Sequence, residues 1–192
     1  MPTKTNIPYT NGIYFITFTC SNWINLFEIC NAYDLVYKWF NYLIEQGNYI
    51  VGYVIMPNHL HAIIAFKDNK KNINTIISNG KRFMAYEIVK RLYDQKHLEI
   101  LNHLQSIVSE KEKAKNKIHR VFEPSFDWKE CNNETFINQK LDYIHMNPCH
   151  TREPLVKQPQ DYIYSSAKFY INGVQDCITI ISSQELNDID LS

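Results

Sequence analysis

Hydrophobic and polar positions along the chain change period several times, and each change predicts an element. Residues 13–20 (Ile-Tyr-Phe-Ile-Thr-Phe-Thr-Cys) are aromatic and β-branched almost throughout, which predicts a strand. Between residues 31 and 46, Leu35, Val36, Trp39, Phe40 and Leu43 recur at helical spacing, and Gly47 follows where a helix C-cap belongs. Residues 49–56 and 59–66 are two strand-like runs joined by Pro57-Asn58, a good turn pair, so they predict a hairpin. After the polar linker 67–71, a helix is expected from about 73 to 93, weakened in its first third by Gly80. Residues 97–120 read as an exposed helical insertion with short-range charge pairing through Glu110-Lys111-Glu112-Lys113. Residues 121–128 supply another strand, interrupted by Pro124, and residues 134–147 a helix that Pro148 stops. The remainder, with Tyr162, Tyr164 and the short run 177–181, predicts no definite element, and no internal repeat is visible.

The order strand, helix, strand, strand, helix, strand, helix predicts an α+β sandwich, an antiparallel sheet with helices on one face; the ferredoxin-like arrangement is the nearest common scaffold. With 192 residues the chain suits one domain, here 1–175, followed by an acidic tail at 176–192. Hydrophobic residues at 45% and only 5 Gly exclude a disordered or collagenous chain. Apolar runs reach about five residues, against about 20 needed to span a bilayer. The opening Met1-Pro2-Thr3-Lys4-Thr5-Asn6 lacks the apolar core of a signal peptide, so a soluble cytoplasmic protein is expected. Five cysteines, never closer than ten residues, form no CxxC, and reduced, mostly buried thiols are expected.

Zero net charge hides an asymmetry. Residues 67–120 carry 13 of the 20 Lys and Arg against 6 acids, while residues 176–192 carry four acids and no Lys or Arg. A basic middle can follow a phosphate backbone or simply keep a helical face solvated.

Two constellations carry chemistry. His59 and His61 flank Leu60 on a predicted strand, so both imidazoles point to the same face, a good arrangement for holding a metal ion. In Asp142-Tyr143-Ile144-His145-Met146-Asn147-Pro148, helical spacing puts Ile137, Leu141 and Ile144 on the buried stripe. Tyr143 and Asn147 are one turn apart on one flank of that stripe, and His145 projects from the other.

The run from Gly52 to Ile64, containing Met56-Pro57-Asn58-His59-Leu60-His61, resembles the signature of single-tyrosine HUH transposases. Residues 142–148 resemble that family's tyrosine motif, and the REP-associated branch is the best match. Lys81-Arg82-Phe83, Asp161-Tyr162 and Ser165-Ser166-Ala167 add to the likeness, which runs over about residues 10–170 in the same order. The resemblance implies a metal-dependent transposase and nuclease acting on single-stranded DNA beside hairpins or REP-like repeats. His59 and His61 would hold one Mg²⁺ or Mn²⁺, with Asn147 as polar third ligand. Tyr143, on its helix, would attack the scissile phosphate and leave a 5′-phosphotyrosine and a free 3′-OH. A phenol with a pKa near about 10 needs a positioned charge or base to do so. No GxxxxGK[ST] loop is present, in keeping with chemistry that stores the phosphodiester's energy in the covalent intermediate. The turn Cys149-His150-Thr151-Arg152-Glu153-Pro154 departs from the basic, glycine-containing turn usual in the family, and Phe122 stands where relatives often carry Trp.

Lys81, Arg82, Lys90 and Arg91 are the expected DNA phosphate contacts, and Trp23, Trp39 and Trp128 are candidates for stacking on unpaired bases. Some relatives dimerise, so a homodimer is a further expectation. The competing readings are a domesticated hairpin-binding protein that does not cut, a zinc hydrolase using His59, His61 and Cys149 or His150, and an RNA-binding module. The first strand lacks the RNP pattern that the last would need.

Overall fold

Alternation along β1 (Gly12–Thr19) sends Tyr14, Ile16 and Phe18 to one side of a sheet and Ile13, Phe15 and Thr17 to the other. The computed structural model describes residues 6–68 and 70–192, so residues 1–5 of the opening segment and Asn69 of the linker lie outside the described residues. After β1 come a 3-10 turn at Ser21–Trp23 and two helices, α1 (Leu26–Ile29) and α2 (Tyr33–Glu45). The hairpin β2 (Tyr49–Met56) and β3 (His59–Phe66) has the expected bounds. Then follow α3 (Ile73–Asp94), α4 (Leu98–Ser106), α5 (Glu110–Lys113), β4 (Asp127–Glu130), α6 (Glu134–Met146), α7 (Ala167–Asn172) and α8 (Ser183–Leu186).

The sheet is antiparallel with order β2-β3-β1-β4, which is the ferredoxin-like order. β1 and β3 pair so that Thr17 faces His61 and Thr19 faces His59. β4 begins later than expected and is short. Pro124 has no N–H to give a ladder, so the preceding stretch makes only the isolated bridge Cys20–Phe122, and pairing with β1 resumes at Asp127.

The α+β antiparallel architecture agrees with the sequence, but the helices do not all share one face. α2 and α3 pack on the Tyr14–Ile16–Phe18 side, where Trp39, Phe40, Leu43, Ile77, Met84 and Ile88 are buried. α6 and α8 cover the opposite side: Ile137, Leu141, Ile144 and Leu186 bury with Phe15, Val51, Val54, Met56 and Ile63. Both faces of β2 and β3 are apolar, so each needs a cover, and α6 is the element left to supply it. Gly80, which costs α3 helix propensity, is the point where the two helices of the first layer meet. A Cβ there would lie 2.4 Å from the Trp39 indole nitrogen.

Residues 97–120 are less exposed than expected, because α4 sinks Leu101 and Leu104 into the core. Beyond it, Glu112 accepts from Arg120, Lys117 and Ser109. Against the upward pull of its desolvation, these bonds hold its carboxyl far below the usual range. The acidic segment 176–192 is not a free tail. Ile180 bridges Ile50, and Ile178, Ile180 and Leu186 are buried.

Candidate active site

The Pro57-Asn58 turn sets the first part of the site. Asn58 Nδ2 donates to the Trp23 carbonyl at 3.1 Å, so its Oδ1 is the atom 2.7 Å from His59 Nδ1. A carboxamide oxygen accepts only, hence His59 carries its proton on Nδ1 and leaves Nε2 bare. On the neighbouring strand, the Thr17 hydroxyl lies 2.6 Å from His61 Nδ1, and when it accepts from that nitrogen His61 Nε2 is free as well. Such partners behind the imidazoles fix ring orientation. The two rings are 4.7 Å apart between centroids. Burial pushes the pKa of His59 down to about 4 and, helped by His59 and Lys140, that of His61 to about 3, so both are neutral at pH 7.

The second part comes from α6 on the same face of the sheet. The Tyr143 ring lies 5.1 Å from His61 and 6.0 Å from Phe15, edge-on to both, and is 49% exposed. Asn147, at the C-cap one turn later, comes close enough to His59 to pull its pKa upward against the effect of burial. Tyr143 and Asn147 also line an open cleft with Asp142, Met146, His150 and Thr151. His59, His61, Tyr143 and Asn147, which span almost ninety residues of sequence, are thus gathered at one place. His145 is not among them: it is buried, donates to or accepts from Ser166 at 2.9 Å, and packs on Tyr170. Ser166 in turn accepts from the Tyr53 N–H, tying α6 to β2.

Two features at the site were not expected from the sequence. Lys140 holds its ammonium 5.1 Å from the Phe15 ring, 5.1 Å from Phe136 and 5.8 Å from Tyr143. Its i,i+3 spacing to Tyr143 and i,i−4 spacing to Phe136 were the available signal. Gly52 lies under α6: a Cβ there would come within 2.4 Å of Leu141 Cδ2. A lone glycine inside a strand pattern is the signal for such close approach.

The expected DNA contacts divide. Lys81 is 8% exposed and donates to the carbonyls of Glu123 (2.7 Å) and Ser125 (2.9 Å), which pins the segment before β4. Arg91 donates to both carboxylate oxygens of Asp34, at 2.8 and 2.9 Å, and to the Asn31 carbonyl. Neither is a surface phosphate contact, because their donors are committed within the protein. Arg82 and Lys90 are exposed, but on α3, across the sheet from Tyr143.

The donor set suits a divalent cation: two neutral imidazoles, each held by a partner at Nδ1, with the Asn147 carboxamide beside them. Among the described residues no three His, Cys, Asp or Glu side chains gather as a metal set, so the zinc grouping with Cys149 or His150 is not assembled.

No family model matches the sequence, and no curated protein matches it. Among solved structures, one of a REP-associated tyrosine transposase bound to a REP hairpin superposes with a TM-score of 0.63 at 16% identity, covering 95% of this chain and 93% of that one. The chain has the fold of that tyrosine transposase. A crystal structure of a protein from Deinococcus radiodurans R1, provisionally named a transposase, gives a TM-score of 0.35 at 14% identity, over 74% of this chain and 95% of that one. Among the described residues no helix is long and apolar enough to cross a membrane.

Proposed function

We propose that this chain is a metal-dependent transposase and nuclease that cleaves and rejoins single-stranded DNA at hairpin-flanked sites through a 5′-phosphotyrosine. The observation that supports this reading is the meeting of Tyr143 with the His59–His61 pair and Asn147 on one face of the sheet, in a fold shared with a REP-associated tyrosine transposase. His59, His61 and Asn147 would hold Mg²⁺ or Mn²⁺, which supplies charge to polarise the scissile phosphate.

The chain's own residues do the rest. Tyr143 is half exposed, so a strand can reach its oxygen, while contacts with His61 and Phe15 keep its ring from turning away. The Lys140 ammonium stabilises negative charge as it develops on the phenol and the phosphate. The phenol gives up its proton to solvent as its oxygen bonds to phosphorus and the P–O3′ bond breaks. The leaving 3′ oxygen takes up a proton, and reversal of these steps by another 3′-OH rejoins DNA without a nucleotide cofactor.

The test is to incubate the protein with Mg²⁺ or Mn²⁺ and end-labelled single strands from its own gene's flanks, beside Tyr143→Phe, on a denaturing protein gel. A covalent band that requires metal and disappears in the variant is expected. Hairpin binding with no covalent band would instead support the domesticated, non-cutting protein.

A further inference from the structure

Of the three tryptophans, Trp39 is 6% exposed and Trp128 packs its edge on Tyr14 at 5.8 Å, but Trp23 stands 63% exposed. Leaving so large an apolar ring in water forgoes burial. Its backbone is unfavourable as well: Asn22 and Trp23 both have positive φ, 53° and 58°, a region that bulky side chains seldom occupy. The surrounding structure holds this turn firmly. Ser21 N–H donates to the Val121 carbonyl, Trp23 N–H to Cys20, and Asn58 Nδ2 to the Trp23 carbonyl. An exposed ring on a turn held this rigidly, in a conformation its own chemistry disfavours, is what a preorganised ligand contact requires.

The ring's position identifies the ligand. Its edge meets His59 at 5.6 Å between centroids, and Asn58, which anchors the Trp23 carbonyl, also orients His59. One side chain therefore sets both the imidazole and the indole. We propose that Trp23 is a stacking platform for an unpaired nucleobase next to the phosphate held at His59 and His61. The inference rests on the single-stranded DNA reading above and adds a base-binding subsite to it. Since every base offers a π-face, the platform tolerates many sequences and contributes affinity through the base, not the phosphate.

Binding of oligothymidylate, and of an abasic strand with the same phosphates, to the full chain tests this without metal or cleavage. Wild type is expected to bind oligothymidylate with quenching of tryptophan emission, and the abasic strand more weakly. Trp23→Ala should weaken oligothymidylate binding by about 5- to 150-fold, abolish most of the quenching and leave abasic binding unchanged, with Trp23→Phe close to wild type. Equal affinity of Trp23→Ala and wild type for oligothymidylate overturns the platform. So does equal weakening for both strands, or no binding of oligothymidylate by the wild type. The covalent band at Tyr143 is scored separately, so a cutting enzyme without base dependence rejects the platform alone, and base-dependent binding without a covalent band rejects cleavage alone.

Discussion

Substituting Gly52 by alanine should disturb the candidate site from beneath. Gly52 is buried in β2 and its added Cβ would lie 2.4 Å from Leu141 Cδ2, whereas ordinary contact begins at 3.4 Å, so the two must part by at least 1.0 Å. Leu141 is 4% exposed in a cluster with Val51, Val54 and Ile137, which leaves its side chain little room to swing aside. Part of the displacement therefore passes to α6, two residues before Tyr143. Overpacking of this kind costs about 1–3 kcal/mol. For a chain of this size that lowers the Tm by about 2–12 °C in a circular-dichroism melt. A misplacement of about 1 Å at a reacting group costs on the order of 100-fold in rate, so the part of the shift that reaches Tyr143 should slow formation of the Tyr143–DNA adduct by up to about 100-fold. Removing Leu141 Cδ2 makes room, so Gly52→Ala combined with Leu141→Ala should be more stable than the sum of the single effects, by about 1–3 kcal/mol. Additivity within about 0.5 kcal/mol, or a Gly52→Ala protein with wild-type Tm and rate, would refute the argument.

Lys140→Gln should slow adduct formation by on the order of 100-fold at nearly unchanged Tm, with Lys140→Arg retaining most of the rate; an equal loss in both would count against a charge effect. Lys81→Met takes a charged donor from two part-buried carbonyls and should cost about 1–3 kcal/mol in a urea melt, while the salt dependence of DNA affinity stays as in wild type. Acid should destabilise the metal-free protein. His59 and His145 have folded pKa values lowered from the ordinary 6.5 to about 4 by burial, so the unfolded chain binds more protons as pH falls below 6.5. Stability is then lost from about pH 6.5 down to about 4, by up to about 3 kcal/mol for each such imidazole, with His61 extending the loss towards pH 3. A Tm that stays flat between pH 7 and 5 would show that these rings are not desolvated as described.

What was legible in the sequence was whatever local periodicity decides. The hairpin could be bounded to the residue because a nearly continuous apolar run stops on each side of Pro57-Asn58, and helical arithmetic separated Tyr143 and Asn147 from His145. Periodicity names the stripe of α6 that must be buried, but not the sheet face that receives it. Both faces of β2 and β3 are apolar, and the choice falls to α6 only because α2 and α3, the crossover helices, already fill the other side. Charge has the same blind spot. Lys81 and Arg82 are neighbours of equal sign in a basic stretch, yet one is buried on carbonyls and the other exposed, a difference that depends on where residues 123–125 return across the fold. The residues acting through others are the least legible of all. Thr17 behind His61 follows from the β1–β3 register, and Asn58 behind both His59 and Trp23 from the turn that brings Trp23 back to the hairpin. Each has an ordinary local sequence, and the meaning of each lies in a partner dozens of residues away. Gly52 is the exception that points the other way. A glycine inside an otherwise β-branched and aromatic strand gives up packing and chain entropy. That loss is itself a sign that something must approach there, and what approaches is the helix carrying Tyr143.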